Sequence, residues 1–232
     1  MKQFLLIVLS FFCLHVSATD DPKMLIRELN KKFRAVQDYT ARVRMEFDIP
    51  GVKMNTMNGK VFFKRPDRFR IRTKGIFFLP KQNPMQNMSS MLLDTNSYTS
   101  IISGYEVVNN KRCAIVNIIP LTSSNELILG KFWIDVKDPK VYKTQITTRN
   151  NGTIDTESFY STNSSVNLPD KVVIMIETKK IRMSKMMSAD IGRKSQDKAK
   201  LDEVETGTIT LSFSGYKINT RFPDSELERN ED

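Results

Sequence analysis

The side chain with the clearest chemical task is Arg65, in the stretch Gly59–Thr73, GKVFFKRPDRFRIRT. The stretch reads as two short strands around a Lys64-Arg65-Pro66-Asp67 break. Val61, Phe63, Phe69 and Ile71 share one parity, and Arg68, Arg70 and Arg72 share the other. Alternation with period 2 assigns one face to an apolar space and the opposite face to water. Arg65 has the parity of the apolar set. A guanidinium there must reach carbonyl or carboxylate acceptors on another element, because an unpaired buried charge is far too costly. The chemistry this predicts is recognition and latching, not bond breaking.

Groups able to do covalent chemistry are scarce. His15 is the only histidine, and it falls in the N-terminal segment read below as a cleaved signal. Its removal excludes Ser-His-Asp and Cys-His arrangements and every histidine-ligated metal site. Cys13 lies in the same segment, so Cys113, in CAIVNIIP, has no internal disulfide partner and reads as a buried strand thiol. Asp135 and Asp138 resemble a carboxylate pair suited to acid–base work, but their place at a strand end assigns them to a turn. No catalytic residue, cofactor or metal is expected, and the chain is not expected to be an enzyme.

The N-terminus carries Lys2, the apolar run Phe4–Leu14, too short to span a bilayer, and the small-residue site Val16-Ser17-Ala18. These are the parts of a secretory signal over 1–18. Phe12 before Cys13 argues against lipid attachment at that cysteine. An exported, soluble, periplasmic product is expected. The chain has 232 residues, a formal net charge of +10 and a pI near 9.6. Such an excess serves solubility or draws in anionic partners, here a membrane surface or an acidic protein rather than nucleic acid. At this length one domain is the default. It is assigned to 19–223, as a monomer, with an acidic tail over 224–232 expected to be loose.

The elements that must position Arg65 follow from periodicity. Asp20-Asp21-Pro22 supplies cap residues and a first-turn proline, and Leu25, Leu29, Phe33 and Val36 then form a helical stripe about four turns long. From Tyr39 the period drops to 2, with Ala41, Val43, Met45, Phe47 and Ile49 on one side, and Pro50-Gly51 ends the strand. Lys74–Ser97 breaks the rhythm with an apolar Ile76–Pro80 patch and a short methionine-rich helix over Pro84–Leu93. Met85, Met88 and Met91 there suit either ordinary packing or a surface that repacks around variable hydrophobes. Strands are then predicted at Tyr105–Val108, Cys113–Ile119, Gly130–Val136, Val141–Thr148, Ile154–Tyr160, Lys171–Thr178 and Thr208–Tyr216. Asn109-Asn110 and Asn151-Gly152 supply tight turns. Lys179–Glu205 is basic and then mixed in charge; it reads as a long solvated hairpin loop (179–206), with a docking arm for an acidic surface as the alternative.

A helix, then an uninterrupted antiparallel meander with one apolar face, resembles the LolA-like family of periplasmic outer-membrane lipoprotein carriers and sorting proteins. The resemblance rests on an ordered set of short motifs. Tyr39-Thr40-Ala41-Arg42-Val43 matches an aromatic-x-Ala-x-hydrophobic strand, and Gly59 through Lys64-Arg65-Pro66, followed by Phe69, matches a Gly-led strand ending in Lys-Arg-Pro. WIDVKDPKVYKTQITTRNNGTIDTESFY is similar to the family's Trp-x-Asp hairpin, and YKINTRFPDSEL to its last strand and exit. Three features depart from the pattern. Met45 stands where glutamine is usual, the family's Asp-Gly-Lys strand is not recognisable between Thr73 and Tyr105, and Lys179–Glu205 has no counterpart.

The resemblance implies an α+β fold: a strongly curved antiparallel sheet, an incomplete β-barrel, with the N-terminal helix and short helices covering its concave apolar face. It gives Arg65 the role of bonding to the helical lid, and Phe69 a place in the cavity wall. The expected ligand-binding wall is Val43, Met45, Phe47, Val61, Phe63, Phe69 and Ile71, with Arg65 as latch. The expected function is that of an exported carrier sheltering acyl chains of a lipoprotein or lipid on the way to the outer membrane. Membrane-bound donor and acceptor proteins and transient contact with a membrane surface are its expected partners. The alternative is a regulatory or scaffold domain that senses lipid or peptide without handing it over.

Overall fold

Asp21 opens the first element of the computed structural model, which describes residues 21–50, 53–73, 92–122, 127–149, 152–161, 168–177 and 206–228. Its carboxylate accepts the Lys23 amide proton at 2.9 Å, and Pro22 takes the first helical position. A cap oxygen on an orphan N–H and a preset proline φ together fix where the turn begins. The resulting helix, α1 (Pro22–Ala35), buries Leu25, Ile26 and Leu29, with Phe33 half-buried beside them. The signal segment, the Ile76–Pro80 patch, nearly all of the methionine-rich helix and Lys179–Glu205 lie outside the described residues.

Ten strands follow: β1 (Asp38–Asp48), β2 (Met57–Lys64), β3 (Arg68–Thr73), β4 (Tyr98–Val108), β5 (Lys111–Pro120), β6 (Leu127–Asp135), β7 (Val141–Thr148), β8 (Gly152–Phe159), β9 (Lys171–Glu177) and β10 (Thr206–Ile218). They form one antiparallel sheet in the order β3-β2-β1-β10-β9-β8-β7-β6-β5-β4. The meander is not uninterrupted as expected. It comes in two pieces, β1–β3 and β4–β10, sewn together by β1 pairing with β10, with the chain passing from one edge of the sheet to the other between β3 and β4. Those two edges do not pair, so the sheet is an open, incomplete barrel.

Local sequence explains the turns. Asn109 and Asn110 both take positive φ (50° and 59°), the backbone that a two-residue hairpin with right-handed strand twist requires. Gly152, the first residue of β8, takes φ 68° where it pairs with Thr148. Register shifts at Thr40/Arg42 and Ile102/Gly104 mark bulges, which bend strands and steepen the twist. Gly59 is obligatory by contact: a Cβ there would lie 2.7 Å from the Arg72 carbonyl oxygen on β3.

One face of this sheet is apolar at both ends. Cross-strand partners point the same way, and the register places Phe47, Ile209, Ile174, Thr156, Thr144, Phe132, Val116 and Ile102 in a single row over eight strands, β1 to β4. The two ends of the row belong to two packed clusters, one beneath α1 and the other spread over β1, β2, β9 and β10. Between them, the floor is made of the small buried side chains Thr144, Thr156 and Ser158.

The opposite face holds a smaller cluster of Cys113, Trp133 and Tyr142. Cys113 is fully buried and free, and burial, with Asp135 adding to it, pushes its thiol up to about 11. Its thiolate, the reactive form, is therefore scarce at pH 8. Iodoacetamide at that pH is expected to leave the folded protein unmodified and to label it fully in denaturant, by intact mass; rapid labelling of the folded form would contradict this burial.

The C-terminal stretch is not loose up to Glu228. A 3-10 turn at Asp224–Glu226 lies on the outer side of β2 and β3. Arg72 donates to the carbonyls of Ser225 (2.7 Å) and Glu226 (3.1 Å), Arg68 pairs with Asp224 at 3.0 Å, and Lys64 pairs with the same carboxylate. Phe222 meets Phe62 edge-on, with ring centroids 5.5 Å apart. The arginines of β3 thus face chain rather than open water, because the acidic turn and its carbonyls offer better partners for a fork of N–H donors than solvent does.

Candidate functional site

Arg65 sits in the β2–β3 turn, where the chain reverses beside the end of α1; its peptide with Pro66 is cis. The last four carbonyls of a helix have no partner within it. Here each one is met. Arg65 Nη2 donates to Phe33 O at 2.5 Å and Nε to Val36 O at 2.8 Å. Asn219 Nδ2, from the end of β10, donates to Ala35 O at 2.9 Å, and Gln37 Nε2 to Arg34 O at 2.8 Å. Arg65 N also donates to Gln37 O at 2.9 Å. Burial, and then the neighbouring Arg34, pull the Arg65 guanidinium below its ordinary pKa.

Asn219 was not foreseen. It holds φ 55° and ties three elements, since its Oδ1 also accepts the Gln37 amide proton at 2.7 Å and its own N–H reaches Asp38 O at 2.8 Å. The available signal was an asparagine directly after a strand ending in Tyr-Lys-Ile, a position where this residue tolerates the left-handed region.

A third attachment holds α1 from the side. Lys32 pairs with Asp138 in the β6–β7 turn, and Lys140 joins it at 3.1 Å. Asp135 Oδ1 accepts the Lys137 amide proton at 2.9 Å. The two aspartates therefore serve the turn. The Lys32 hydrogen bond, first among several causes, holds the Asp138 carboxyl below the usual aspartate range. A carboxylate depressed by folding stabilises fully above its unfolded value, near pH 4, and its contribution vanishes as pH falls through the lower folded value. The pair is half-exposed, so the gain is under about 1 kcal/mol. Asp138→Asn is expected to cost that much at pH 7 and less at pH 2.5, measured by urea titration. An equal loss at both pH values would assign the effect to geometry rather than charge.

The structure brings all seven predicted wall residues into one cluster. Val43, Met45 and Val61 are fully buried, while Phe47, Phe63, Phe69 and Ile71 are half-buried around them, backed by Val172, Ile174, Leu211 and Phe213. Tyr39 stacks on Phe63 with centroids 5.1 Å apart, and burial drives its phenol far above the ordinary range. A second feature lies elsewhere. A cleft of about 620 Å³ opens between α1 and the start of β4, with Ile26, Asn30 and Tyr98 among its walls and none of the seven. Asn30 Nδ2 and the Tyr98 hydroxyl both donate to Leu92 O, at 2.7 and 3.1 Å.

No family model and no curated protein matches the sequence. Solved structures do match in three dimensions. A LolA superfamily protein from Nitrosomonas europaea aligns over 91% of this chain and 99% of its own, with a TM-score of 0.55 at 9% identity. The fold is LolA-like. A DUF1329 family protein from Desulfovibrio piger aligns over 90% of this chain and 98% of its own, at a TM-score of 0.58 and 12% identity. A domain from Vibrio parahaemolyticus, described as outer-membrane lipoprotein-sorting, gives 0.55 and 10% over 90% and 98% of the two chains. At such identities the likeness lies in the fold, an open sheet with a helix set against its apolar face. Within the LolA-like frame the Arg65–helix contact is the geometry that the Lys-Arg-Pro resemblance implied. No helix among the described residues is long and apolar enough to cross a membrane.

Proposed function

We propose that the protein is an exported, periplasmic carrier that shelters acyl chains of a lipoprotein or lipid on its inner face and moves them through water to the outer membrane. The observation that carries this reading is the row of side chains from Phe47 to Ile102, a track across eight strands, apolar at both ends with the small buried side chains Thr144, Thr156 and Ser158 between them. Val43, Met45, Phe47, Val61, Phe63, Phe69 and Ile71 line one end of the track, and α1 roofs the other. Arg65 is the latch of that roof.

Magnitudes fit a device that opens under load. A sixteen-carbon chain gains about 12 kcal/mol on leaving water, at roughly 0.8 kcal/mol per methylene. The two bonds of Arg65 are charge-assisted and worth about 3–6 kcal/mol together. A chain entering the track can therefore drive the joint open, and an acceptor offering comparable shelter can close it again.

The test is a two-stage assay with a fluorescent fatty acid. Uptake is read by emission enhancement, and hand-over by transfer to acceptor vesicles in the presence of a membrane fraction from the native host. Binding and transfer are expected together. No enhancement at all would sink the reading. Enhancement without hand-over would favour a sensing domain, an outcome for which the tight joint of Arg65, Asn219 and Lys32 at α1 offers a physical basis.

A further inference from the structure

We infer that the cleft between α1 and β4 is a subsite for the phosphate-bearing polar head of an amphiphile, which places the head of the cargo at the roof while its chain lies on the track. The inference rests on the carrier reading above and adds to it the chemical class of the head group.

Three observations converge. Lys23, Arg27, Lys31 and Arg34 all line the cleft from α1, at spacings of four, four and three residues that put them on one helical stripe. Lys31 is paired with Glu28 at 2.6 Å, whereas Lys23, Arg27 and Arg34 make no ion pair among the described residues. The nearby Asp94 carboxylate accepts the Asn96 amide proton at 3.3 Å. The cleft therefore has an excess of cations at its lip, and its size of about 620 Å³ matches a head group rather than a single ion. Ile26, on the same helix, lines the cleft and also belongs to the cluster beneath α1, so polar lip and apolar interior are continuous.

Asn30 is the third observation and the most specific. It is 6% exposed and lines the cleft, and its Nδ2 is committed to Leu92 O at 2.7 Å. That bond fixes the orientation of the amide, since only its NH2 end can donate to a carbonyl. Its Oδ1 is then left buried without a partner. Buried acceptors of this kind are rare and call for a donor. The cargo that satisfies the site carries an anion for the cations and an O–H or N–H for Asn30. Phosphate esters bearing glycerol or ethanolamine have both.

The experiment measures calorimetric affinities of the full mature chain at low salt for four dihexanoyl lipids, namely phosphatidylglycerol, phosphatidylethanolamine, phosphatidylcholine and the uncharged diacylglycerol, and for sn-glycerol 3-phosphate and inorganic phosphate alone. Phosphatidylglycerol is expected to bind about tenfold tighter than the chain-matched diacylglycerol, with the margin shrinking as salt rises. Phosphatidylethanolamine should exceed phosphatidylcholine several-fold, because only the former carries N–H donors on an otherwise equal head charge. The exposed double variant Arg27→Gln, Arg34→Gln should erase the first margin and leave diacylglycerol affinity unchanged. Equal affinities for charged and uncharged lipids, or loss of both together in the variant, overturn the inference while leaving the carrier intact. If none of the lipids binds, the carrier reading fails, and the head group is judged on glycerol phosphate alone. Its binding, weakened by the double variant, upholds an anion site; its failure to bind ends it. Inorganic phosphate binding as tightly as phosphatidylglycerol would assign the cleft to a free anion and overturn the lipid head.

Discussion

Arg65→Leu is expected to lower the stability of the protein by about 3–5 kcal/mol and to free the last turn of α1. The variant removes the Arg65 bonds to Phe33 O and Val36 O; Phe33 O keeps the Val36 amide at 3.3 Å, while Val36 O is left facing an apolar side chain. Each charge-assisted bond is worth about 1.5–3 kcal/mol, and an acceptor stripped of its donor in a half-buried place adds a desolvation cost of the same order. Arg65→Lys should fall between, since an ammonium supplies the charge but not the fork that spans two carbonyls. Urea denaturation reads the loss. Amide hydrogen exchange should show it concentrated at Arg34–Val36, with β5–β7 protected until global unfolding. A loss spread evenly over the sheet would mean that Arg65 holds the core and not the roof. The carrier reading adds a kinetic consequence: with the joint already open, off-rates of a bound fatty acid should rise more than on-rates.

The helix, nine strands and the end of β4 were legible in the sequence because each rests on a short-range pattern; β4 itself starts at Tyr98, seven residues before the predicted Tyr105. Parity alone put Arg65 on the apolar side and demanded an acceptor from another element, and the helix carbonyls answered that demand. What escaped was long-range. Nothing in Asp38–Asp48 or Thr206–Ile218 announces that these strands, first and last, pair with each other, since register between distant segments depends on the whole sheet. The docked C-terminal turn escaped for the same reason: Asp224 and Glu226 look solvated until Lys64, Arg68 and Arg72 are brought across 150 and more residues to meet them. The cleft was missed because a lone asparagine inside an apolar stripe was passed over, although Asn30 lies one turn after Ile26 on the inner side of α1. A polar residue at a buried helical position is a signal that needs a partner, and here one of its two polar atoms has none.

Phe132→Ala separates a filled core from a track that accepts cargo. Phe132 lies at 0% exposure on β6, the sixth strand of the row, beneath α1 and against Val116 and Thr144. Truncation of a fully buried phenylalanine costs about 3–5 kcal/mol, the lost transfer energy plus the void left behind. For a chain of this size that is a fall in Tm on the order of 10 °C. In a core that merely packs, the void stays empty and no ligand repairs it. In a carrier, the void opens into the space an acyl chain uses, so the chain refills it. Saturating palmitate is therefore expected to raise the Tm of Phe132→Ala by more than it raises that of the parent, because binding to the folded state alone stabilises by an amount that rises with the logarithm of affinity. Met45→Ala, on β1 next to the far end of the row, should lose about 2–5 kcal/mol by the same route, and comparing the two rescues shows how far along the sheet the chain reaches. If the lipid stabilises neither variant beyond the parent, the inner face is a core and the acyl chain goes elsewhere.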